Sequence, residues 1–138
     1  MKIAIVGNRT IDKFNFTYDD FCKKIEFVNR LEIYDTIISG GATGIDSFAK
    51  KYACECGLNY IEFLPNWKKY GRSAGPKRNQ EIVNECDKLI AFWGGDSKGT
   101  KSSINLAIKA GKLLRTEHLS LKDEFKPLNK EIDELDFK

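Results

Sequence analysis

Residues 36–57 read TIISGGATGIDSFAKKYACECG. Thr36, Ile37 and Ile38 form a short β-branched run, which predicts a strand. The run stops at Ser39-Gly40-Gly41. Residues 45–56 then predict a helix, and Gly57 supplies the usual left-handed stop. A strand that breaks on glycine and passes directly into a helix is half of a βαβ unit, the building block of parallel sheets.

The same alternation extends outward in both directions. On the N-terminal side, KIAIV at residues 2–6 predicts a strand ending in Gly7. Residues 17–32 follow, with Phe21, Ile25, Val28 and Leu31 on one helical face and a Thr17/Asp20 capping signal. On the C-terminal side, residues 60–64 predict a third strand halted by Pro65. The stretch NWKKYGRSAG (66–75) has no clear period and predicts an irregular connector, with a helix over 77–85 after Pro76. Residues 88–93 (KLIAFW) predict a fourth strand ending in Gly94-Gly95. A helix over 100–110, stopped by Gly111, and a fifth strand over 113–119 complete the pattern. Strands separated by helices of this length imply right-handed crossovers. The expected fold is therefore α/β: a Rossmann-like, doubly wound, mainly parallel five-stranded sheet with helices on both faces. Residues 1–119 would form this domain. Residues 120–138 would be a charged, partly helical tail in which Leu121, Phe125, Leu128, Ile132 and Leu135 give one apolar face.

Composition sets the class. The chain has 138 residues, 41% of them hydrophobic and 31% charged, as in ordinary globular domains. No apolar run approaches the roughly 20 residues of a membrane helix. The N-terminal apolar run is too short for a signal peptide, so a cytoplasmic location and no membrane partner are expected. The net charge of +3 divides unevenly: residues 1–119 carry +5 and residues 120–138 carry −2. A mildly basic body suits an anionic small molecule and argues only weakly for nucleic acid. Cys22, Cys54, Cys56 and Cys86 lack zinc spacing, and His118 stands apart from them. No metal and no cofactor are expected, and the cysteines read as small buried or half-buried helix residues.

In a parallel sheet every β–α loop emerges on the same edge, where ligands of open α/β sheets sit. Three such loops break on glycine, Gly7-Asn8-Arg9-Thr10 after strand one and two glycine-rich segments, SGGATGID after strand two and GGDSKGT after strand four. Glycine admits close approach of backbone to phosphate, and the following helix N-terminus favours an anion. Neither long loop is a Walker A, and no GxGxxG follows the first strand, so nicotinamide dehydrogenase chemistry is not indicated. The connector adds Trp67 as a stacking surface and Arg72 and Arg78 as forked phosphate donors.

Taken together, IAIVGNRT, IISGGATGIDSFAKKYA, FLPNWKKYGRSAGPKRNQEIV and LIAFWGGDSKGT resemble the successive blocks of the SLOG superfamily. The resemblance covers about residues 2–115. It is strongest to the YspA/YpsA-related branch of small bacterial and phage proteins. The superfamily also contains the DNA-processing protein DprA and the Lonely Guy phosphoribohydrolases. It implies a nucleotide or nucleotide-derived ligand. By position it implies a site built from Gly7, Asn8 and Arg9; from Ser39, Gly40, Gly41, Gly44 and Asp46; from Arg72, Gly75, Arg78 and Asn79; and from Gly94, Gly95, Gly99 and Thr100. Asn8 stands where the family more usually has serine. Where the Lonely Guy enzymes place a glutamate after the second loop, this chain has Lys101-Ser102-Ser103-Ile104.

An oxocarbenium-like transition state needs a nearby carboxylate, and the candidates left for that role are Asp46 and Glu81. The expected function is binding of a nucleotide-like phosphate ligand, as a sensor or in ligand processing. The alternatives are an N-glycosidic hydrolase of the phosphoribohydrolase kind and a single-stranded DNA binder like DprA. Self-association through a sheet edge, a helix face or the tail stripe is left open.

Overall fold

The computed structural model describes residues 1–29 and 33–126. Its five strands are β1 (Lys2–Gly7), β2 (Thr36–Ser39), β3 (Asn59–Glu62), β4 (Lys88–Trp93) and β5 (Leu113–His118). They form one parallel sheet in the order β3-β2-β1-β4-β5. The helices are α1 (Tyr18–Asn29), α2 (Ile45–Glu55), α3 (Trp67–Tyr70), α4 (Ala74–Glu85) and α5 (Lys98–Lys109).

The central strands are apolar on both faces, as a sheet covered on both sides requires. Ile3 and Ile5 of β1 join Ile37, Ile90 and Phe92 beneath α1 and α2, whose Phe21, Ile25, Val28, Ala49 and Tyr52 close that side. Ala4 and Val6 join Ile38, Leu89 and Ala91 beneath α4 and α5, which contribute Ile82, Val83, Ile104 and Ala107. The α/β, doubly wound expectation is met.

The start of α1 follows the predicted signal closely. Thr17 Oγ1 accepts from Asp20 N–H at 3.1 Å, and Asp20 Oδ2 accepts from Thr17 N–H at 2.9 Å. This reciprocal pair satisfies two otherwise orphaned donors. Leu31, predicted on the same face, lies outside the described residues.

The segment 66–75 departs from expectation. From Trp67 onward it is helical: α3, a 3₁₀ turn over Gly71–Ser73, then α4 starting at Ala74. Asn66 caps α3 by accepting from Lys69 N–H at 3.1 Å. Pro76 does not delay α4, because it occupies the first turn, where its missing N–H has no partner to lose. Helix α5 likewise begins at Lys98, two residues early, because Ser97 rather than Gly99 precedes its first turn. Cys22 is half-buried and Cys86 buried, but Cys54 and Cys56 are exposed. Cys54 lies opposite the Ile45/Ala49/Tyr52 stripe, and Cys56 caps the C-terminus of α2.

Residues 119–122 stay on the body. Leu119 N–H bonds Trp93 O at 2.9 Å, Asn15 N–H bonds Ser120 O at 2.7 Å, and Lys122 N–H bonds Lys13 O at 2.8 Å. Leu121 bridges Phe14 in antiparallel fashion. Leu128, Ile132 and Leu135 of the expected tail stripe lie outside the described residues. No helix among the described residues is long and apolar enough to cross a membrane.

Phe21 is fully buried, with its ring 5.2 Å from that of Phe92 and 5.7 Å from that of Phe48. Phe21→Ala should lower the unfolding free energy by about 3–5 kcal/mol, and Thr17→Ala by only about 1 kcal/mol. Urea denaturation of both variants checks this, and equal losses would mean that the cap, not the core, holds α1.

Candidate functional site

The sheet order places the switch point between β1 and β4. From β1 the chain proceeds outward through β2 to β3, then returns to the other side of β1 as β4. Loops leaving the two strands diverge, and a crevice opens at their C-terminal ends. Here it encloses about 60 Å³ of water-accessible space. Val6 and Ile82 contribute apolar wall. The polar walls are Arg9 from the β1 loop, Gly40, Ala42 and Asp46 from the β2 loop and α2, Arg78 and Asn79 from α4, and Ser97, Gly99, Thr100 and Ser103 at α5.

Arg78 organises three of these walls. It is buried, and its Nη1 donates to Gly40 O at 2.8 Å and to Phe63 O at 3.4 Å. Its Nε donates to Asn79 Oδ1 at 3.0 Å, and Asn79 Nδ2 reaches Gly99 O at 3.4 Å. Gly40 is required by this arrangement, since a Cβ there would stand 2.5 Å from Arg78 Nη1. Gly44 is required twice over. Its φ is +70°, and a Cβ would meet Asn8 O at 2.3 Å. That close approach lets Asn8 O accept from Ile45 N–H at 3.1 Å, joining the β1 loop to the start of α2.

Asp46 is the carboxylate in the crevice wall. It is 6% exposed and accepts from Ala42 N–H at 3.1 Å. Burial pushes its carboxyl up to about 6, against the opposing pull of the Ala42 N–H, Arg78 and Arg9. Burial also draws the Arg78 guanidinium down, and the nearby Asp46 charge resists this.

The two glycine-rich loops are not equivalent. Before α2, Asp46 Oδ2 accepts from the loop N–H of Ala42, and Asn8 O accepts from Ile45 N–H, the first of the helix. At α5, Ser97 Oγ accepts from Thr100 N–H at 3.3 Å and lies 2.8 Å from Thr100 Oγ1. The first two N–H groups of α5, on Lys98 and Gly99, have no place in the intrahelical ladder. Gly99, Thr100 and Ser103 share the helix face toward the crevice. This end of α5 is the better anion site.

Other predicted residues lie elsewhere. Asn8 is buried and links the two central loops, donating to Asp96 Oδ1 at 2.8 Å and accepting from Gly94 N–H at 3.1 Å. Gly94 lies against the Phe14 ring, and Gly95 is exposed. Ser39 is buried, and its Oγ accepts from Gly41 N–H at 3.4 Å. Gly41 faces Glu62 and Leu64 rather than the crevice. Trp67 and Arg72 are exposed on the outer side of the helical connector, with the Trp67 ring edge near Gly75. Glu81 is exposed on α4 and does not line the crevice. Ser97 and Ser103 were not singled out in the sequence. Ser103 could have been found from its four-residue spacing from Gly99. Among the described residues no group of three or more His, Cys, Asp or Glu side chains is placed to hold a metal.

Because the folded state favours protonated Asp46, this group contributes most stability at low pH, and the contribution is lost as pH rises through about 6. The wild type should gain about 1–2 kcal/mol from it at pH 5 relative to pH 7.5. Urea denaturation at the two pH values should show that difference reduced by a similar amount in Asp46→Asn.

The sequence profile of the family "DNA recombination-mediator protein A" matches residues 1–88, from β1 to the first residue of β4. No curated protein sequence matches the chain. The X-ray structure of DNA processing protein A (DprA) from Streptococcus pneumoniae superposes with a TM-score of 0.63 at 18% identity. The match covers 99% of this chain and 56% of that one, so the chain spans little more than half of DprA's length. At that identity the likeness is one of fold. The profile, in contrast, covers well over half of the sequence, and the chain belongs to the DNA recombination-mediator protein A family, with a SLOG-type Rossmann-like domain.

Proposed function

We propose that the chain binds a nucleotide or nucleotide-derived phosphate, with the phosphate in the crevice between Arg78 and the first turn of α5. The carrying observation is the convergence on one small space of Arg9, the buried Arg78, and the Gly99/Thr100 end of a helix. Each favours an oxyanion, and together they come from three different β–α connections. The volume of about 60 Å³ suits a phosphate-sized group. The sugar and base would lie over the rim, toward exposed Arg9. Sensing or processing of such a ligand, by a protein of the cell interior, is the corresponding role.

Asp46 is the residue available for acid–base chemistry on a bound ligand, since burial pushes its carboxyl up to about 6 and it lines the crevice. An N-glycosidic hydrolase would use it in place of the missing glutamate after Thr100. Family membership favours a second reading, in which the crevice takes a backbone phosphate of single-stranded DNA. That reading predicts an affinity falling steeply with salt, with a logarithmic slope of roughly −0.7 per phosphate neutralised.

Native mass spectrometry of freshly purified protein should reveal a retained nucleotide. Failing retention, a thermal-shift series should show stabilisation by nucleoside monophosphates, about 2.7 kcal/mol at a hundred times the dissociation constant. Arg9→Ala should weaken this binding about tenfold or more through loss of a charged hydrogen bond. Absence of any nucleotide effect, with salt-dependent oligonucleotide binding instead, would replace the first reading by the second. Release of free base from AMP, NAD or ADP-ribose, abolished in Asp46→Ala, would establish the hydrolase.

A further inference from the structure

A buried carboxylate in the wall of an anion site is chemically awkward. Asp46 and Arg78 are both at least nine-tenths buried and line the same crevice. A Cβ at Gly40 would stand 2.5 Å from Arg78 Nη1 and 3.0 Å from Asp46 Oδ2, so the two groups are near neighbours and an oxyanion held by Arg78 and the α5 terminus lies close to the Asp46 carboxyl. Two anionic oxygens in contact repel unless a proton lies between them. With the proton present, the contact becomes a short, strong charge-assisted hydrogen bond.

Oxyanions differ in whether they bring that proton. A phosphomonoester or inorganic phosphate has a second ionisation near neutrality and carries a P–O–H group at little cost. Sulfate and phosphodiesters have no proton to give at the same pH. The surroundings of Asp46 do not remove the difficulty. Arg78 from α4 and Arg9 from the β1 loop face it as cations, while Tyr60 from β3 faces it as a neutral hydroxyl. Lys50, one turn along α2, lies 3.8 Å from Glu62 of β3 and is already engaged there. The backbone N–H groups of Ala42 and Gly40 favour the ionised form.

We infer that Asp46 is a specificity residue that makes the crevice select terminal phosphomonoesters over phosphodiesters and sulfate, by accepting a hydrogen bond from the protonated phosphate oxygen. The inference rests on the phosphate-site reading above and narrows it. The ligand end that enters is a terminal phosphate, such as that of a nucleoside monophosphate. An internal backbone or pyrophosphate-bridging phosphate is excluded.

The test is calorimetric titration of the full chain at pH 7.5 and fixed ionic strength with inorganic phosphate, sulfate, 5′-AMP and 3′,5′-cyclic AMP. Phosphate should bind about tenfold or more tightly than sulfate, and 5′-AMP than its cyclic diester. Asp46→Asn should bring each pair within about twofold, chiefly by gaining sulfate and diester binding, since the amide N–H₂ can donate where the carboxylate could not. If that variant does not fold, the wild type at pH 5 serves instead: protonated Asp46 becomes a donor, and the preference for phosphate over sulfate should shrink. Equal wild-type affinities within each pair, or a preference unmoved by both the substitution and the pH change, would overturn the inference while leaving the phosphate site in place. Failure of all four probes to bind would remove that site as well.

Discussion

The burial of one guanidinium governs the edge of the sheet where the loops converge. A charge out of water needs partners, and Arg78 finds them on Gly40 O, Phe63 O and Asn79 Oδ1. Those partners belong to the ends of β2 and β3 and to α4 itself. Asn79 passes the connection on to Gly99, at the start of α5. One side chain therefore fixes the relative positions of elements far apart in sequence. It also explains why Gly40 has no side chain and why Asp46 can be buried beside it. Without Arg78, the Asp46 charge would lose its nearest buried counter-charge and Gly40 O its donor.

Around that anchor the two halves of the fold contribute differently. The β1 loop is drawn toward both neighbours. Asn8 O caps the start of α2, and the Asn8 side chain holds Gly94 N–H and Asp96 after β4. Lys13 completes this with a 2.7 Å bond to Asp96, which holds that carboxyl below its usual range. These bonds keep the loops from collapsing across the switch point and leave the space between them open. The first N–H of α2 is taken by Asn8 O from the β1 loop, while the first N–H groups of α5 have no place in its own ladder, so the donors facing the crevice come mainly from α5 and the arginines.

The parallel direction of the strands was legible in the sequence, because buried strands such as KIAIV and KLIAFW are apolar on both faces and each ends on glycine; their order across the sheet, set by contacts between distant segments, was not. The convergence of the two glycine-rich loops and the β1 loop was legible for the same topological reason. The residues selected within the connector were harder. Taken together as a connector, residues 66–79 put Arg72, Arg78 and Trp67 on equal footing. Once α4 starts at Ala74, helical spacing turns Ala74, Arg78, Asn79, Ile82 and Val83 inward and leaves Glu81 outside. Arg72, in the preceding 3₁₀ turn, is exposed. Asp46 was visible as an acid in a first helical turn, but its burial in the same crevice wall as Arg78, 32 residues away, is something no local pattern reports. Ser97 was hidden because the glycines drew the predicted helix start two residues too far along.

Charge distribution separates attraction from selection in this protein. The body is basic, but most of its lysines are exposed. On α5, Lys98, Lys101 and Lys109 all stand at the surface. Such charges steer any anion toward the molecule, and salt screens them over about 8–10 Å. They do not distinguish one phosphate from another. Arg78 and Asp46 are buried and screened far less, and the proposed discrimination between oxyanions rests on them. The family profile ends at residue 88 and so contains both members of that pair. The α5 residues that complete the crevice lie beyond it. The anchor is thus built within the stretch that matches the family, while the GGDSKGT wall that faces it across the crevice lies outside that stretch.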